Sequence, residues 1–469
     1  MMNVSIKAIF FLLFILINAL GQQIKAPSIY DLDFKEKTQA RQDYLQNKNQ
    51  PSKNILVAGK NTVAGSSQTG QINFDQKSTI LPPQVPQTPQ APQTPQTPQA
   101  MLSPQLTLNG ETKKVVMNNH ASSRYECISQ VQEKIVTSFA DWLDHKGKIG
   151  YADPAANHNI EDQISWASSK KLFERYGKSP LFSCGASDIK NFMPSCSDLK
   201  DKMVAELGDG KGILYFNPFG SWGSSNRKMH LNRLHLLSVA TEAGIPFVSG
   251  PQLMHYDANA GAHILEDDEL VAKYGSKEDL LTFRSKFSYE FAKKHYGNYT
   301  TVREAPDITF MLGPLIPIQK AKYDVFVLMR VQEQNISTRI CRLVKQQGYN
   351  CAYGDWGFGT NIERVQGEYP PNYAEIGVQM GIGTISLGEV IITDRLQAVI
   401  LGFLTGKNVI YIDTSSKKIG NVLATAFDGT NCNPLRNSQF GITEVISSDL
   451  SKIVSTAVTF IKDHGVNIV

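Results

Sequence analysis

The sequence carries little charge for its length. Asp, Glu, Lys and Arg make up 19% of the 469 residues, and the formal net charge is only +4. No basic stripe interleaved with aromatic residues stands out, which argues against a nucleic acid as partner. No Cys or His spacing typical of a metal site appears either, so we expect no metal.

Long apolar runs are also scarce, and the one run that could be a signal peptide or a membrane span lies at the amino terminus. Residues 8–20 form an apolar run of about 13 residues, which suits the core of a signal peptide better than a membrane span. Ala19 and Gly21 are small residues that fit cleavage after Gly21. We therefore interpret residues 1–21 as a signal peptide, with an uncleaved signal anchor or a buried core segment as alternatives.

Either a signal peptide or an anchor sends the protein into the secretory pathway, to the Golgi or ER lumen or to the outside. Membrane attachment is then expected only through this amino-terminal segment. The cysteine count agrees with an oxidising compartment, since an even number is compatible with disulfides, although the sequence leaves their connectivity open. The cysteines are Cys127, Cys184, Cys196, Cys341, Cys351 and Cys432.

Residues 22–117 show little periodicity. Within them, Pro82–Pro104 is a low-complexity run rich in Pro and Gln. Such a composition buries too little apolar surface to offset the entropy of ordering, so we expect an extended stem or linker.

From about Tyr125 onward, helical patterns alternate with short apolar strand patterns. Alternation of this kind is typical of an α/β fold with doubly wound parallel sheets. A Pro- and Lys-containing segment at Leu315–Lys322 divides the pattern. We therefore predict two Rossmann-like domains, residues 118–318 and 319–469, which face a cleft that binds ligands at the carboxyl ends of the strands.

The clearest unit is strand, helix, strand. Val390–Ile392 is a β-branched run, Leu396–Leu404 has apolar residues at helical spacing, and Val409–Ile412 is a second apolar run. Thr393 or Asp394 is expected to cap the helix, which Gly406 would end in a left-handed conformation.

Arg395 is expected in the first turn of this helix. The amino terminus of a helix favours anions, so Arg395 there suggests an anion site. The segment Ser415–Lys418 follows the second strand at the same sheet edge and would extend a phosphate- or carboxylate-binding rim. The ordinary alternative is a surface Arg395 paired with Asp394, a kind of pair that is common and weak.

Several short motifs, taken in order, resemble the polysaccharide pyruvyl transferase family. The family patterns are Asn-x-Gly-Asp, Pro-Gln-Ser-Ile-His-Phe, Arg-Asp-x-x-Ser-Tyr, Pro-Asp-x-Ala-Phe, Thr-Asp-Arg-Leu-His and Gly-Lys-Pro-Val. The matching segments are Asn159–Gln163, Gly250–Tyr256, Phe283–Tyr289, Ala305–Phe310, Val390–Ala398 and Gly406–Val409.

The resemblance implies two Rossmann-like domains arranged as in GT-B glycosyltransferases. It also implies transfer of an enolpyruvyl unit from phosphoenolpyruvate to two hydroxyls of a sugar, which gives a pyruvate ketal and releases phosphate. Phosphoenolpyruvate would be a co-substrate, a glycan the acceptor, and no cofactor is implied.

The resemblance also assigns roles to residues. The donor carries a carboxylate and a phosphate, which Arg side chains can clamp with two hydrogen bonds. The implied donor-binding residues are Arg284, Arg395, Leu396, Gln397 and Lys417.

Ketal formation requires proton transfer, and His255 is the titrating candidate beside catalytic Arg284 and Arg395. Asp162 and Asp307 would position the acceptor or a cationic partner. Ordinary explanations remain open: a strand-end His255, a solvated Arg284, a turn-forming Asp307 and a first-turn acid at Asp162.

Several positions depart from the family patterns. Ser285 stands where the family often has Asp, and the segment Tyr215–Gly223 has fewer glycines than the family pattern. Two further departures bear directly on the chemistry. Gln397 replaces a His, and an amide cannot move protons near neutral pH. Glu161 replaces a Gly and adds bulk and negative charge. Three hypotheses follow: an active pyruvyltransferase, a catalytically silent relative that binds sugar or an anion, and a GT-B glycosyltransferase with another donor.

Overall fold

A computed structural model describes residues 107–108, 111–112, 119–155, 159–186, 194–220, 222–224, 226–356, 372–413, 417–431, 442–446 and 449–463. The expected signal segment 1–21, Ser415, Ser416 and Cys432 lie outside these ranges, as does most of the expected stem. Within the described ranges, no helix has the length and apolarity needed to cross a bilayer.

The described chain is an α/β structure. The strands are β1 (Thr107–Leu108), β2 (Glu111–Thr112), β3 (Lys148–Ala152), β4 (Pro180–Cys184), β5 (Gly212–Phe216), β6 (Trp222–Gly223), β7 (Phe247–Ser249), β8 (Met254–His255), β9 (Leu280–Phe283), β10 (Thr301–Glu304), β11 (Tyr323–Leu328), β12 (Cys351–Gly354), β13 (Gly388–Thr393), β14 (Asn408–Asp413) and β15 (Ile442–Ile446). The helices are α1 (Asn119–Leu143), α2 (Ile160–Arg175), α3 (Lys200–Leu207), α4 (Arg227–Glu242), α5 (Gly261–Tyr274), α6 (Lys286–Tyr296), α7 (Gln334–Gln346), α8 (Tyr373–Ile385), α9 (Leu396–Thr405), α10 (Lys418–Phe427) and α11 (Leu450–Asp463).

The first large sheet is parallel throughout, with the order β10-β9-β7-β5-β3-β4. From β3 the chain first moves to β4 on one side and then returns to β5 on the other. The crossovers therefore diverge between β3 and β5, and a crevice forms at the carboxyl ends of this strand pair. Gly212–Phe216 is buried along its whole length, which explains its uninterrupted apolar sequence.

The second large sheet is also parallel, with the order β12-β11-β13-β14-β15. Here the crossovers diverge between β11 and β13, so the second crevice lies where these two strands end. The prediction of an α/β fold with parallel sheets is confirmed. The boundary predicted at 318/319 falls in the connection before β11, and the division into two domains stays a prediction.

The two sheets share a buried core within the described chain. One apolar cluster contains Tyr215 of the first sheet together with Ile391 of the second, along with side chains from α1, α2 and α9. Helix α2 packs closely on α8 because Gly377 has no side chain. A Cβ at that position would lie 2.4 Å from the Cβ of Gln163. This contact fixes the amino-terminal end of α2 beside the second sheet.

The unit β13–α9–β14 forms where the sequence predicted it, and Gly406 ends α9 in the left-handed conformation, with φ +73°. The prediction that Thr393 or Asp394 caps the helix is wrong. Arg395 is the N-cap residue and makes no side-chain cap. Thr393 instead accepts a hydrogen bond from the Arg395 amide at 3.0 Å. The Asp394 carboxylate forms an ion pair with Arg330.

Two disulfides lie among the described residues. Cys184–Cys196 ties the end of β4 to the segment that follows it, and Cys341–Cys351 ties α7 to the edge strand β12. Within the expected stem, β1 and β2 form a short antiparallel pair.

Candidate functional site

A cavity of about 230 Å³ lies at the carboxyl ends of both large sheets. The first sheet contributes Pro218, Phe219 and Gly220, which follow β5. The second contributes Arg330, which follows β11, and Asp394, which follows β13. The cavity therefore draws on both strand pairs at which the crossovers diverge.

Four cationic side chains line the cavity, together with three carboxylates. The cations are Arg233, Arg284, Arg330 and Lys418, and the carboxylates are Glu161, Asp162 and Asp394. The helices α2, α9 and α10 also begin at this cavity, so their amino termini add positive potential. The arrangement suits an anionic ligand that also carries hydroxyl groups nearby.

Arg284 follows β9 and is only 3% exposed. Its Nη1 atom binds the carboxylate of Asp307, which is fully buried and also accepts from the amide of Thr309 at 2.9 Å. The other end of the guanidinium lies beside Gly220, where a Cβ would come within 3.2 Å of Nη2. Asp307 therefore positions Arg284, and the solvated-surface explanation for Arg284 is wrong.

Arg233 of α4 is held against aromatic rings. Its guanidinium lies 3.7 Å from the centroid of the Phe219 ring, and its Nε donates to Asp153 at 3.2 Å. Burial lowers the pKa of Arg233, and Asp153 opposes this shift. Arg233 thus forms a fixed cationic wall of the cavity.

Arg330 and Asp394 form the ion pair at the crevice of the second sheet. The Arg330 Nη1 atom lies 2.7 Å from Asp394 Oδ2, and the Arg330 amide donates to Oδ1 at 3.1 Å. Burial raises the pKa of Asp394, although the charge of Arg330 acts in the opposite direction.

Arg395 does not line the cavity. Its guanidinium lies behind the wall, with Nη1 2.9 Å from Glu161 Oε2 and Nη2 2.5 Å from Asp355 Oδ1. Burial acts to lower the pKa of Arg395, but the two carboxylates outweigh it and raise the pKa. The alternative of a surface Arg395 paired with Asp394 is therefore wrong. The structure gives Arg395 a positioning contact with Glu161 instead of a place in the cavity wall.

Glu161 and Gln397 connect Arg395 to Arg284. With the Gln397 amide oriented to satisfy both neighbours, its nitrogen donates to Glu161 Oε1 at 3.0 Å and its oxygen accepts from Arg284 Nη1 at 3.2 Å. The guanidinium groups of Arg284 and Arg395 are thus joined through one carboxylate and one amide. Glu161 is itself fixed by helix α2, whose N-cap Asn159 accepts from the Glu161 amide at 3.1 Å.

Lys418 and Lys417 differ sharply in position. Lys418 opens α10 and lines the cavity, partly buried, whereas the side chain of Lys417 is exposed and its backbone is left-handed, with φ +48°. Burial lowers the pKa of Lys418 to about 8, with a further contribution from Arg284. The sequence prediction named Lys417 as the donor-binding lysine. In the structure it is the next residue, Lys418, that lines the cavity.

His255 is not among the residues that line the cavity. Its side chain is half exposed and lies 3.3 Å from the carboxylate of the exposed Asp257. Asp162 does line the cavity, and so do Leu396 and Gln397. Of the predicted residues, the structure therefore brings Arg284, Leu396, Gln397 and Asp162 together, while Asp307 supports Arg284 from behind.

Sequence reasoning missed Arg233, Arg330 and Asp355. Arg330 had a usable signal, because it comes two residues after a buried strand in a parallel sheet. Arg233 and Asp355 had no such signal in the sequence, because the role of each depends on partners that are distant in the chain. Among the described residues, no cluster of His, Cys, Asp and Glu is arranged to hold a metal ion.

A family model and two known proteins match this chain. The family model for polysaccharide pyruvyl transferase matches residues 157–416, more than half of the chain. Pyruvyl transferase 1 of Schizosaccharomyces pombe is 24% identical over 302 residues, which cover 60% of this chain and 69% of that protein. The crystal structure of an uncharacterized protein from Klebsiella pneumoniae aligns with a TM-score of 0.38 at 13% identity, over 67% of this chain and 96% of that one. From the extent of the family match, the chain belongs to the polysaccharide pyruvyl transferase family.

Proposed function

We propose that this protein transfers the enolpyruvyl unit of phosphoenolpyruvate to two hydroxyls of a glycan sugar, which forms a pyruvate ketal and releases phosphate. The observation that carries the proposal is the convergence of Arg233, Arg284, Arg330 and Lys418 on one cavity. A donor with both a carboxylate and a phosphate needs several cations, and an isolated pair would not neutralise it. Family membership supports a pyruvyl group as the unit transferred.

Arg284 is the principal donor-binding residue in this proposal. Its buried guanidinium is oriented by Asp307 and Gln397, so little side-chain entropy is lost when an anion binds. The Nη2 side next to Gly220 is the part directed at the ligand. Arg330 and Arg233 place further guanidinium groups in the cavity wall from two other elements, and each is held there by a carboxylate, Asp394 or Asp153.

The Asp162 carboxylate binds the acceptor in this proposal. Asp162 lies at the start of α2 in the cavity wall, where it can accept hydrogen bonds from sugar hydroxyls. Since it lies in the same cavity as the cations, a hydroxyl bound there is close to the donor. Holding both reactants in one orientation is a large part of the rate advantage available to such a transferase.

We further propose that the two sheets are arranged as in GT-B glycosyltransferases and that the protein works in the secretory pathway. Two parallel sheets that contribute to one cavity support a GT-B-like arrangement. Two disulfides among the described residues, Cys184–Cys196 and Cys341–Cys351, support a secretory compartment, because cytosolic proteins rarely keep such bonds. We therefore expect the reaction in the Golgi or ER lumen or outside the cell.

The test is transfer of labelled pyruvate from phosphoenolpyruvate to a panel of galactosides and other glycans. The full chain is expected to release one phosphate for each acid-labile pyruvate ketal formed. Binding of phosphoenolpyruvate without turnover would instead support a silent relative. Stabilisation by nucleotide sugars but not by phosphoenolpyruvate would support a glycosyltransferase and contradict the proposal.

A further inference from the structure

Lys418 occupies a distinctive place in the cavity. It is the first residue of α10, and its Nζ atom approaches the same point as Arg284. A Cβ on Gly220 would lie 3.3 Å from Lys418 Nζ and 3.2 Å from Arg284 Nη2. An anion that binds Arg284 beside Gly220 therefore also meets the Lys418 ammonium.

Proton transfer needs a group that titrates, and most groups in the cavity wall do not. Arg side chains stay protonated at any ordinary pH. Among the described lining residues none is a histidine, and Gln397 cannot exchange a proton. Of the three carboxylates, Glu161 and Asp394 are held in ion pairs with Arg395 and Arg330, and Asp162 binds the acceptor hydroxyls in the proposed function.

The surroundings of Lys418 favour loss of its proton near neutral pH. Burial and the charges of Arg284 and Arg330 lower its pKa to about 8, while Glu161 and Asp162 act in the opposite direction. At the end of β14, the Asp413 carboxylate accepts hydrogen bonds from the amides of Ile419 and Gly420, at 3.2 and 2.8 Å. A general acid is most effective when its pKa lies near the working pH.

We propose that Lys418 is the catalytic acid that protonates the methylene carbon of phosphoenolpyruvate. This inference rests on the proposed function. The π electrons of the C=C bond form the new C–H bond, and the N–H electrons stay on the amine of Lys418. The two acceptor oxygens bond to the central carbon, whose bond to the phosphate oxygen breaks with its electron pair on the phosphate. Of the two hydroxyl protons, one returns to the amine of Lys418 and the other leaves with phosphate.

The decisive variant is Lys418→Arg, which keeps the charge and removes the titration. We expect kcat to fall about 10²- to 10⁴-fold, the range for loss of a general acid. The dissociation constant for phosphoenolpyruvate, measured by calorimetry, should change by less than about threefold, because the cation that meets the anion remains. Lys286→Arg is the matched control, since Lys286 also opens a helix, is exposed and lies outside the cavity wall.

The pH profile gives a second readout. Since the protonated form is the acid, wild-type kcat should fall as the pH rises through about 8. Lys418→Arg should lose this alkaline limb.

The outcomes distinguish the proposed pyruvyl transfer from the proposed acid role of Lys418. If the wild type transfers pyruvate and Lys418→Arg keeps its kcat with the alkaline limb intact, Lys418 only binds the donor and the inference is overturned. If the wild type neither binds phosphoenolpyruvate nor transfers pyruvate, the proposed function fails first and the inference fails with it. A melting curve like that of the wild type shows that each variant is folded.

Discussion

Glu161 and Gln397 are hydrogen-bonded to each other, with 3.0 Å between the Gln397 amide nitrogen and Glu161 Oε1. Both positions depart from the motifs of the family, where a Gly and a His stand in their places. The carboxylate holds Arg395 through its other oxygen, and the amide holds Arg284 through its own oxygen. The two departures therefore act as one unit that links the buried guanidinium groups on either side of the cavity wall.

This linkage predicts energetic coupling between Glu161 and Gln397. Glu161→Ala should lower the free energy of unfolding by about 2–4 kcal/mol, because Arg395 loses one of its two carboxylates while buried. Gln397→Ala should cost about 1–2 kcal/mol. The double variant should cost about 1 kcal/mol less than the two single changes together, as measured by urea unfolding.

The matched control for this cycle is the exposed pair Lys171 and Glu174, with nitrogen and oxygen 2.6 Å apart. Alanine at both positions should give additive effects within about 0.5 kcal/mol, as for other surface pairs. Equally additive effects at Glu161 and Gln397 would contradict the linkage.

Arg395 is expected to support the site without binding the donor. Arg395→Lys replaces a fork that spans Glu161 and Asp355 by a single ammonium, so one carboxylate is left without its partner. The unfolding midpoint should drop by an amount equivalent to about 2 kcal/mol, with less than a threefold rise in the KM for phosphoenolpyruvate. A rise in KM of about a hundredfold at unchanged stability would show that Arg395 touches the donor.

Gly220 allows a close test of where the donor binds. Alanine fits its backbone, but the added Cβ would lie 3.2 Å from Arg284 Nη2 and 3.3 Å from Lys418 Nζ, so both cations must shift by a few tenths of an ångström. We expect the KM for phosphoenolpyruvate to rise about tenfold, which is 1.4 kcal/mol of binding, in steady-state assays.

The control for Gly220→Ala is Gly261→Ala. Gly261 opens α5, and a Cβ there meets no atom of the described residues within 4 Å. This variant should leave KM unchanged. An unaltered KM in Gly220→Ala as well would place the donor elsewhere.

His255 separates the sequence-based hypothesis from the structure. The resemblance implies a catalytic histidine, whereas the side chain is half exposed beside Asp257 and does not line the cavity. His255→Asn should change kcat by less than about twofold, against the 10²- to 10⁴-fold loss expected for a general acid or base. A loss in that larger range would restore His255 to the mechanism.

The local parts of the fold were predictable from the sequence. The apolar runs around Leu396–Thr405 and Gly406 at its end gave the strand–helix–strand unit, because periodicity and a left-handed C-cap depend on neighbours in the chain. The partners of Arg395 were not predictable. Glu161 is 234 positions away in the sequence, and no local pattern encodes which buried acid a guanidinium meets.

The choice between Lys417 and Lys418 shows the same limit on a smaller scale. Successive residues of a helix point about 100° apart, so a one-residue difference in where α10 begins decides which lysine faces the cavity. The sequence placed a lysine at the correct sheet edge. In the structure, Lys418 begins the helix and Lys417 adopts the left-handed conformation before it, which no local pattern in the sequence indicates.

We expect the cation-lined cavity around Arg284 to bind phosphoenolpyruvate, and calorimetry of the wild type and of Arg284→Met measures this binding. Methionine keeps much of the buried volume but removes the guanidinium, so we predict saturable binding to the wild type and at least a hundredfold weaker binding to the variant, about 2.7 kcal/mol. Equal affinity of both proteins for phosphoenolpyruvate, or no binding to the wild type at millimolar donor, would contradict the account.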